Sequence, residues 1–340
     1  MDFFQILDFL ICFLSISQII RDILPLPPTS LMFDIQLFLE KYFSPDEKIV
    51  LWCSTGSDSM FLLYKILETP YRKNLVACYF NHKTRPETED EEQFLIKFGK
   101  KEGFEVEVAE CDFEKIQKLY PSKSFEELAR EKRYQFFEAV CHMHQAKKVL
   151  VGHHLDDRIE TFFFNLVRGS KLTGLINMKE CSGNILRPLL KLKKSEIENH
   201  LRENNLKYFI DSSNTKAEFT RNKLRLDILP QFEKVNSNYK GNLSNILSYF
   251  EEVKEHIDSE VQKFLWEEKD FVITKFTSLS PLLQKEVIRY IYYISNNNST
   301  IGLSEANIKE VIRFINGKNN KTMKEIYGLK MMKDNLVIKY

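Results

Sequence analysis

The sequence lacks any Cys-x-x-Cys pair, and its six cysteines follow no regular spacing: Cys12, Cys53, Cys78, Cys111, Cys141 and Cys181. This pattern argues against a disulfide framework and is typical of reduced thiols in a cytoplasmic protein. Cys53 and Cys78 fall in predicted strands, where a thiol serves as a small core residue. We therefore expect a cytoplasmic protein without structural disulfides.

The sequence also lacks a convincing signal peptide or membrane span. Residues 3–20 are strongly apolar, but no basic region precedes them, and they contain Asp8, whose burial in a bilayer is costly. We expect residues 1–32 to be an N-terminal extension outside the core, with no stable membrane association. A weak membrane-surface helix is the other interpretation of this segment.

The net charge of +1 conceals two basic segments. Residues 161–240 carry 15 Lys and Arg against 8 Asp and Glu, and residues 301–340 carry 8 against 4. Most charge clusters are solvated faces of a protein. Beside a nucleotide site, however, such a basic flank is suited to a phosphate backbone.

Strands and helices alternate over the first half of the chain. Apolar runs predict strands near 48–54, 75–81, 105–111 and 148–153, with helices near 58–68, 88–102, 124–145 and 156–168. This order predicts an α/β fold with a doubly wound parallel sheet over residues 33–232. Helical periods at 243–264, 281–294 and 304–315 predict a mostly α-helical second domain, 233–340, ending in a short β-hairpin.

Two polar turns follow predicted strands. The first, Ser54-Thr55-Gly56-Ser57-Asp58-Ser59, lies between an apolar strand and an apolar helix, and its backbone N–H groups suit a phosphate. The second runs from Gly152 to Thr161 and contains His153, His154, Asp156, Asp157 and Glu160. Because the carboxyl ends of parallel strands share one edge, both turns can face one ligand crevice.

These turns resemble the motifs of a known family. The first is similar to the Ser-Gly-Gly-x-Asp-Ser loop of the PP-loop ATP pyrophosphatases, and the second resembles a signature of their tRNA(Ile)-lysidine synthetase branch. Further matches occur in the same order at 81–85, 127–134, 187–190, 211–214 and 221–225. The resemblance implies a Rossmann-like PP-loop fold, here in a short form without the extra C-terminal domain of longer members.

Two positions depart from the family pattern. Thr55 replaces a glycine, and Arg158 replaces a glutamine. If Thr55 adopts a positive φ, its β-branched side chain is strained there.

The resemblance implies an ATP-dependent carbon-nitrogen ligase acting on CAU-anticodon tRNA(Ile). It adenylates the C2 oxygen of the wobble cytidine, and free L-lysine then displaces AMP to form lysidine. In this sequence the ATP cradle would be Ser54 to Ser59, with Asp58 positioning Mg²⁺ or phosphate and Arg130 reaching the phosphates or the cytidine. Ion pairing of Arg130 and Arg133 with Glu126 and Glu127 is the structural alternative.

The second step needs carboxylates for a cationic substrate and a group that handles a proton. Asp156, Asp157 and Glu160 are the candidates for binding lysine, and His154 for orienting it or moving the proton. Asp156 and Asp157 point in different directions on a helix, so we expect one to carry the chemistry and the other to cap the helix. A metal site built from the same residues is the alternative.

Basic residues of the later motifs are candidates for tRNA contact: Arg133, Arg187, Arg221, Lys223 and Arg225. The alternative functions are a PP-loop tRNA thiolase, which the absence of Cys-x-x-Cys disfavours, and a tRNA-binding relative without catalysis. A homodimer is an option that the sequence leaves open.

Overall fold

The computed structural model describes residues 33–83, 87–111, 116, 120, 125–176, 178–210, 222–265, 270–296, 302–317, 322–326 and 328–340. Two compact units divide the chain. One comprises Met1–Asp156 with Lys179–Asn214, and the other comprises Asp157–Met178 with Thr215–Tyr340. The chain thus passes between the units more than once, whereas our functional limits at 33–232 and 233–340 remain a prediction.

The first unit is built on a six-stranded sheet in the order β3-β2-β1-β4-β6-β5. Its strands are β1 Ile49–Trp52, β2 Leu75–Asn81, β3 Glu105–Glu110, β4 Val149–Leu150, β5 Cys181–Ser182 and β6 Ile185–Leu186. β1 pairs in parallel with β2 and with β4, and β2 pairs in parallel with β3. The predicted parallel sheet is confirmed, with one antiparallel edge strand, β5, beside β6, and the four predicted strands lie where the sequence placed them.

The helices of this unit are α1 Ile35–Tyr42, α2 Ser57–Leu67, α3 Glu87–Glu102, α4 Phe125–Met143 and α7 Lys194–Glu203, whereas α5 Leu155–Val167, from Asp157 onward, and α6 Leu172–Leu175 belong to the second unit. The core lies between α2 and the sheet, where Leu51, Met60 and Leu62 are fully buried. Cys53 and Cys78 are also fully buried, which confirms them as core residues. The apolar face of α2 thereby fixes where its N-terminus meets the sheet edge.

The strand order creates a topological switch point between β1 and β4. From β1 the chain first adds β2 on one side, and it later returns to add β4 on the other. In open parallel sheets, ligands bind in the crevice beyond the carboxyl ends of the strands at such a point. The two polar turns follow β1 and β4, so the fold brings them to this crevice, as the sequence predicts.

The second unit packs helices against a small antiparallel sheet. After a π-helical turn at Leu224–Ile228, its helices are α8 Leu229–Val235, α9 Tyr239–Leu265, α10 Ile273–Ser278, α11 Pro281–Ser295 and α12 Glu305–Asn316. Its strands, β7 Asp270–Val272, β8 Thr322–Ile326, β9 Leu329–Asp334 and β10 Val337–Lys339, pair in the order β7-β10-β9-β8. Phe276, Val287, Ile288 and Ile315 form the centre of its core.

The predicted hairpin is confirmed as β9 and β10, which turn at Asn335 with a φ of 54°. β7 and β8 were not predicted, because strands of three and five residues with charged positions lack a clear alternation. In the described part of the chain, no helix has the length and hydropathy needed to cross a membrane.

Candidate nucleotide-binding site

The loop after β1 is held in a strained conformation. Thr55 has a φ of 61°, a region that β-branched residues rarely adopt. Its carbonyl accepts a hydrogen bond from the Phe209 N–H at 2.9 Å, and the Ser59 hydroxyl bonds to the Gly56 carbonyl at 3.1 Å and to the Ser54 N–H at 3.1 Å. Ser59 therefore braces the loop from inside, while Ser54 is exposed at its outer edge.

The Thr55 side chain faces the core. It is fully buried, and its hydroxyl lies 2.6 Å from the Ser54 carbonyl and 3.2 Å from Glu91 Oε2. The Tyr79 hydroxyl donates to the same Glu91 oxygen at 3.0 Å. The structure therefore limits any contact of Thr55 with a nucleotide in this conformation to its backbone, and its hydroxyl serves the loop instead.

Gly152 brings the second turn against the first. A Cβ at this position would lie 3.0 Å from the Asp58 carbonyl carbon and 3.1 Å from the Ser59 nitrogen. Both distances are tighter than ordinary contacts, so a side chain here would displace the start of α2. The glycine is required for the close approach of the two turns.

Asp58 lies at the centre of a charged cluster. Lys194 donates to its two carboxylate oxygens at 2.7 and 2.8 Å and to the Ser57 hydroxyl at 2.7 Å. His154 Nε2 is 3.7 Å from Asp58 Oδ1, and His154 Nδ1 is 3.9 Å from Asp156 Oδ2. The imidazole thus lies between two carboxylates of the two turns, as an orienting or proton-transfer group requires.

Asp156 caps a helix other than its own. Its carboxylate accepts from the backbone N–H of Lys194 at 2.9 Å, at the first residue of α7. The sequence predicts that either Asp156 or Asp157 caps a helix start, and Asp156 caps the start of α7. The contact also fixes the backbone of Lys194 beside the crevice.

His153 and Arg187 interact in the same unit. The Arg187 Nε–H donates to His153 Nδ1 at 3.2 Å, and Arg187 Nη1 donates to the Lys179 carbonyl at 2.9 Å. Burial lowers the pKa of His153 to about 4, with Arg187 acting in the same direction. His153 is therefore neutral at pH 7, with its proton on Nε2. Arg187 lies in the unit that carries the loop.

The two arginines of α4 lie against aromatic rings. The Arg133 guanidinium is 4.7 Å from the Trp52 ring centroid, and Arg130 is 5.1 Å from that of Tyr134. Among the described residues, Arg133 Nε is buried without a hydrogen-bond partner. A cavity of about 50 Å³ lies nearby, lined by Trp52, Tyr134, Phe137, Glu138, Val149, Val151, His153, Asn184 and Ile185. The side chains of Glu126 and Glu127, the predicted ion-pair partners, lie outside the described residues.

The remaining candidate carboxylates belong to the second unit. Arg225 binds both oxygens of Glu160, at 2.6 and 2.8 Å, and its Nη2 is 3.8 Å from Asp157 Oδ1. Glu160 is buried, whereas Lys223 is exposed. Arg225 thus forms an ion pair with a candidate lysine ligand, a relationship that sequence spacing alone did not indicate. Arg221 and residues 211–214 lie outside the described residues.

Arg158 is accommodated within the second unit. It is buried, and its Nη2 lies 2.8 Å from Glu251 Oε1 of α9. The departure from glutamine at this position is therefore accompanied by an ion pair with a carboxylate on another helix, although Arg158 Nε and Nη2 are buried without hydrogen-bond geometry in the described part of the chain.

The alternative of a metal site in the second turn has no geometric support in the part of the chain that the structure describes. There, the side chains that could share one metal ion are Glu105, Glu107 and His144, at the outer strand of the sheet. His154 and Asp156 are not among them.

The fold and this site define an α/β nucleotide-binding protein with a hydroxyl-rich loop at a topological switch point. Comparison with known proteins agrees, since the PP-loop domain model matches residues 29–232. A tRNA(Ile)-lysidine synthase of Bacteroides thetaiotaomicron is 30% identical over 284 residues, covering 83% of this chain and 65% of that protein. The one of Francisella tularensis is 30% identical over 312 residues, covering 88% and 75%. The chain belongs to the tRNA(Ile)-lysidine synthase family of PP-loop proteins.

The relatives are longer than this chain. It spans 65%, 52% and 53% of three curated synthases, those of Bacteroides thetaiotaomicron, Persephonella marina and Borreliella afzelii.

Among solved structures, the U34-tRNA thiolase NcsA of Methanococcus maripaludis, described with its 4Fe-4S cluster, aligns with a TM-score of 0.52 at 22% identity. The alignment covers 64% of this chain and 75% of that chain. This likeness shows the fold.

Proposed function

We propose that the protein ligates free L-lysine to C2 of the wobble cytidine in CAU-anticodon tRNA(Ile), using ATP and releasing AMP and pyrophosphate. The observation that carries the proposal is the meeting of the two motif turns at the switch point. Asp58 of the first turn and His154 of the second lie 3.7 Å apart there. Family membership supplies the substrate class, and this geometry supplies groups for its chemistry.

In the first step the C2 oxygen of the cytidine attacks the α-phosphorus of ATP. The bond from the α-phosphorus to the bridging oxygen breaks, and pyrophosphate leaves with the electron pair. The backbone N–H groups at the start of α2 and the Ser57 hydroxyl can stabilise this developing charge. Asp58 already binds a cation, the Lys194 ammonium, on both oxygens, and it is the residue that would hold Mg²⁺. The ion would neutralise phosphate charge.

In the second step the lysine amine attacks C2, and AMP leaves. The amine must first lose a proton, and His154, between the carboxylates of Asp58 and Asp156, is the proposed group for orienting it or receiving that proton. Asp156, Asp157 and Glu160 remain the proposed lysine-binding carboxylates. Because Arg225 neutralises Glu160, we assign the larger share of recognition to the aspartates.

We assign Arg133, Arg187, Arg221, Lys223 and Arg225 to the tRNA, and Arg130 to catalysis at the phosphates or the adenylated cytidine. Arg133 and Arg130 lie on aromatic rings, an arrangement that bases can extend by stacking. The described cysteines form no disulfide, and we place the reaction in the cytoplasm.

The decisive experiment mixes the protein with radiolabelled lysine, ATP, Mg²⁺ and CAU-anticodon tRNA(Ile), and follows label in RNA with AMP and pyrophosphate release. Label in this tRNA, and none in a tRNA with a UAU anticodon, is expected. Transfer of sulfur from a sulfide donor instead of lysine would establish the thiolase alternative. Binding of tRNA without ATP turnover would establish the inactive relative.

The variant Asp58→Asn tests in this assay whether the loop after β1 is needed for the reaction rather than for tRNA binding. Asp58→Asn removes one charge from the cradle and none from the basic segments. We expect it to abolish pyrophosphate release while tRNA affinity changes less than about twofold. Full activity of this variant would remove the loop from the proposed mechanism.

A further inference from the structure

We propose that Lys194 is a phosphate-binding residue that recognises the β- and γ-phosphates of ATP and holds Asp58 in place before ATP arrives. The inference rests on the ATP-binding part of the proposed function. Lys194 belongs to neither motif turn. It is the first residue of α7, far along the chain from the loop it contacts.

The first support is the position of the Lys194 ammonium. Nζ is 2.7 Å from the Ser57 hydroxyl and within 2.8 Å of both Asp58 oxygens. Ser57 is the first residue of α2, where the helix dipole and free N–H groups attract an anion. A phosphate oxygen that accepts a hydrogen bond from Ser57 would therefore lie within about 5.5 Å of Nζ, within reach of a small rotation of the lysine chain.

The second support is the anchoring of the Lys194 backbone. Its N–H donates to Asp156, and Leu192 accepts from the Leu155 N–H at 2.8 Å. The start of α7 is thus attached to the turn after β4 by two hydrogen bonds. With its backbone fixed and about a third of its side chain exposed, Lys194 can move its ammonium without moving the helix.

The third support is charge. Without a nucleotide, Asp58 would repel the carboxylates that share its crevice, and the ammonium offsets this repulsion. When ATP enters, its triphosphate is the stronger partner for the ammonium, and Asp58 is freed for a metal cation. A lysine acting as a point charge is a common means of binding phosphate. The contacts therefore assign Lys194 two successive partners, Asp58 first and phosphate second.

The test compares ATP with AMP, which lacks the β- and γ-phosphates. Titration calorimetry in Mg²⁺ would measure both affinities for the wild type, Lys194→Met, Lys194→Arg and the control Lys191→Met. Lys191 is exposed in the same segment. We expect Lys194→Met to lower the affinity for ATP by about tenfold or more, since one charge-assisted contact with phosphate is lost. Its affinity for AMP should fall by less than about twofold. Lys194→Arg should recover most of the ATP affinity, and Lys191→Met should change neither ligand.

If Lys194→Met weakens the binding of ATP and AMP equally, and Lys194→Arg does not restore the ATP affinity, Lys194 has a purely structural role and the proposal is overturned. Unchanged ATP affinity in Lys194→Met would overturn it as well. Circular dichroism and the melting temperature of each variant exclude misfolding as the cause. A wild type that binds ATP through Lys194 but does not modify tRNA would leave this proposal standing and remove the proposed function. A wild type that does not bind ATP would remove both.

Discussion

The Thr55 hydroxyl lies 3.2 Å from the Glu91 carboxylate, and both side chains are buried behind the nucleotide loop. Thr55 replaces a family glycine at a positive φ, a conformation that costs a β-branched residue of order 1–3 kcal/mol. The hydrogen bond to Glu91, which Tyr79 also donates to, helps to offset that cost. The threonine that stands in place of the family glycine thus has a hydrogen-bond acceptor in Glu91, 36 residues further along the chain.

The first prediction concerns this pair. Thr55→Val keeps the branched shape but loses the hydroxyl, so we expect it to destabilise the protein by about 1–3 kcal/mol. Thr55→Gly loses the hydroxyl but also relieves the strain, so it should cost less than Thr55→Val. Urea unfolding measures both. A double-mutant cycle with Glu91→Leu should give a coupling energy of at least about 0.5 kcal/mol, and additive effects would contradict the contact.

The second prediction concerns Gly152. The Cβ of Gly152→Ala would lie 3.0 Å from the backbone of Asp58, so the start of α2 must shift. We expect a loss of about 1–3 kcal/mol in the free energy of unfolding and a severalfold weaker affinity for ATP. Gly56→Ala is the control, because its Cβ would meet the Ser54 hydroxyl at 3.5 Å, an ordinary contact. Equal stability losses in the two variants would show that the close approach is not the cause.

The third prediction separates the two chemical steps through Asp157. Asp157→Asn should retain pyrophosphate release but raise the lysine concentration needed for incorporation by about tenfold or more, because a charged partner of the cation is lost. Excess lysine should partly restore incorporation. The measurement is pyrophosphate release beside lysine incorporation across a lysine titration. Loss of both signals at every lysine level would place Asp157 with ATP instead.

Glu160 needs a different control, because its replacement removes the carboxylate that accepts two hydrogen bonds from the Arg225 guanidinium. Glu160→Gln should lower the melting temperature, and the double variant Glu160→Gln with Arg225→Gln should recover part of that loss. If the double variant has the lower melting temperature of the two, the ion pair is not what stabilises this region.

The fourth prediction concerns pH. Hydrogen bonds from Lys171 and Lys285 lower the pKa of Glu305 from an ordinary 4.5 to about 2. Because the folded pKa is depressed, the stabilisation is present above about pH 4.5 and is lost as the pH falls towards 2. Wild type should exceed Glu305→Gln in stability at pH 6, and the difference should shrink on acidification. Urea midpoints over this range measure it, and salt should reduce it, since the groups are partly exposed. A difference that is independent of pH would contradict the assignment.

The sequence predicted most of the sheet of the first unit because β1, β2 and β4 are short apolar runs and β3 alternates acidic and apolar residues. β1 and β4 each precede a motif, so the sequence placed both turns at one edge of the sheet, whereas the pairing of β1 with β4 is a finding of the structure. β5 and β6, with two residues each, have too few positions for any periodicity.

Lys194 was missed for another reason, since a lysine in a basic segment resembles many solvated ones. Its contact with Asp58 spans 136 residues and exists only after folding. The pairing of Glu160 with Arg225 spans 65 residues and was missed in the same way.

The close approach of Gly152 to Asp58 and Ser59 has a consequence for protein engineering. The backbones of the two turns are in close contact, so an exchange of one turn is constrained by the other. A graft of residues 54–59 from another nucleotide-binding protein would retain its geometry only if residue 152 of the host stays a glycine, or if the donor loop brings its own partner turn. A portable piece of this site therefore has to include both turns together with β1 and β4, which set their separation.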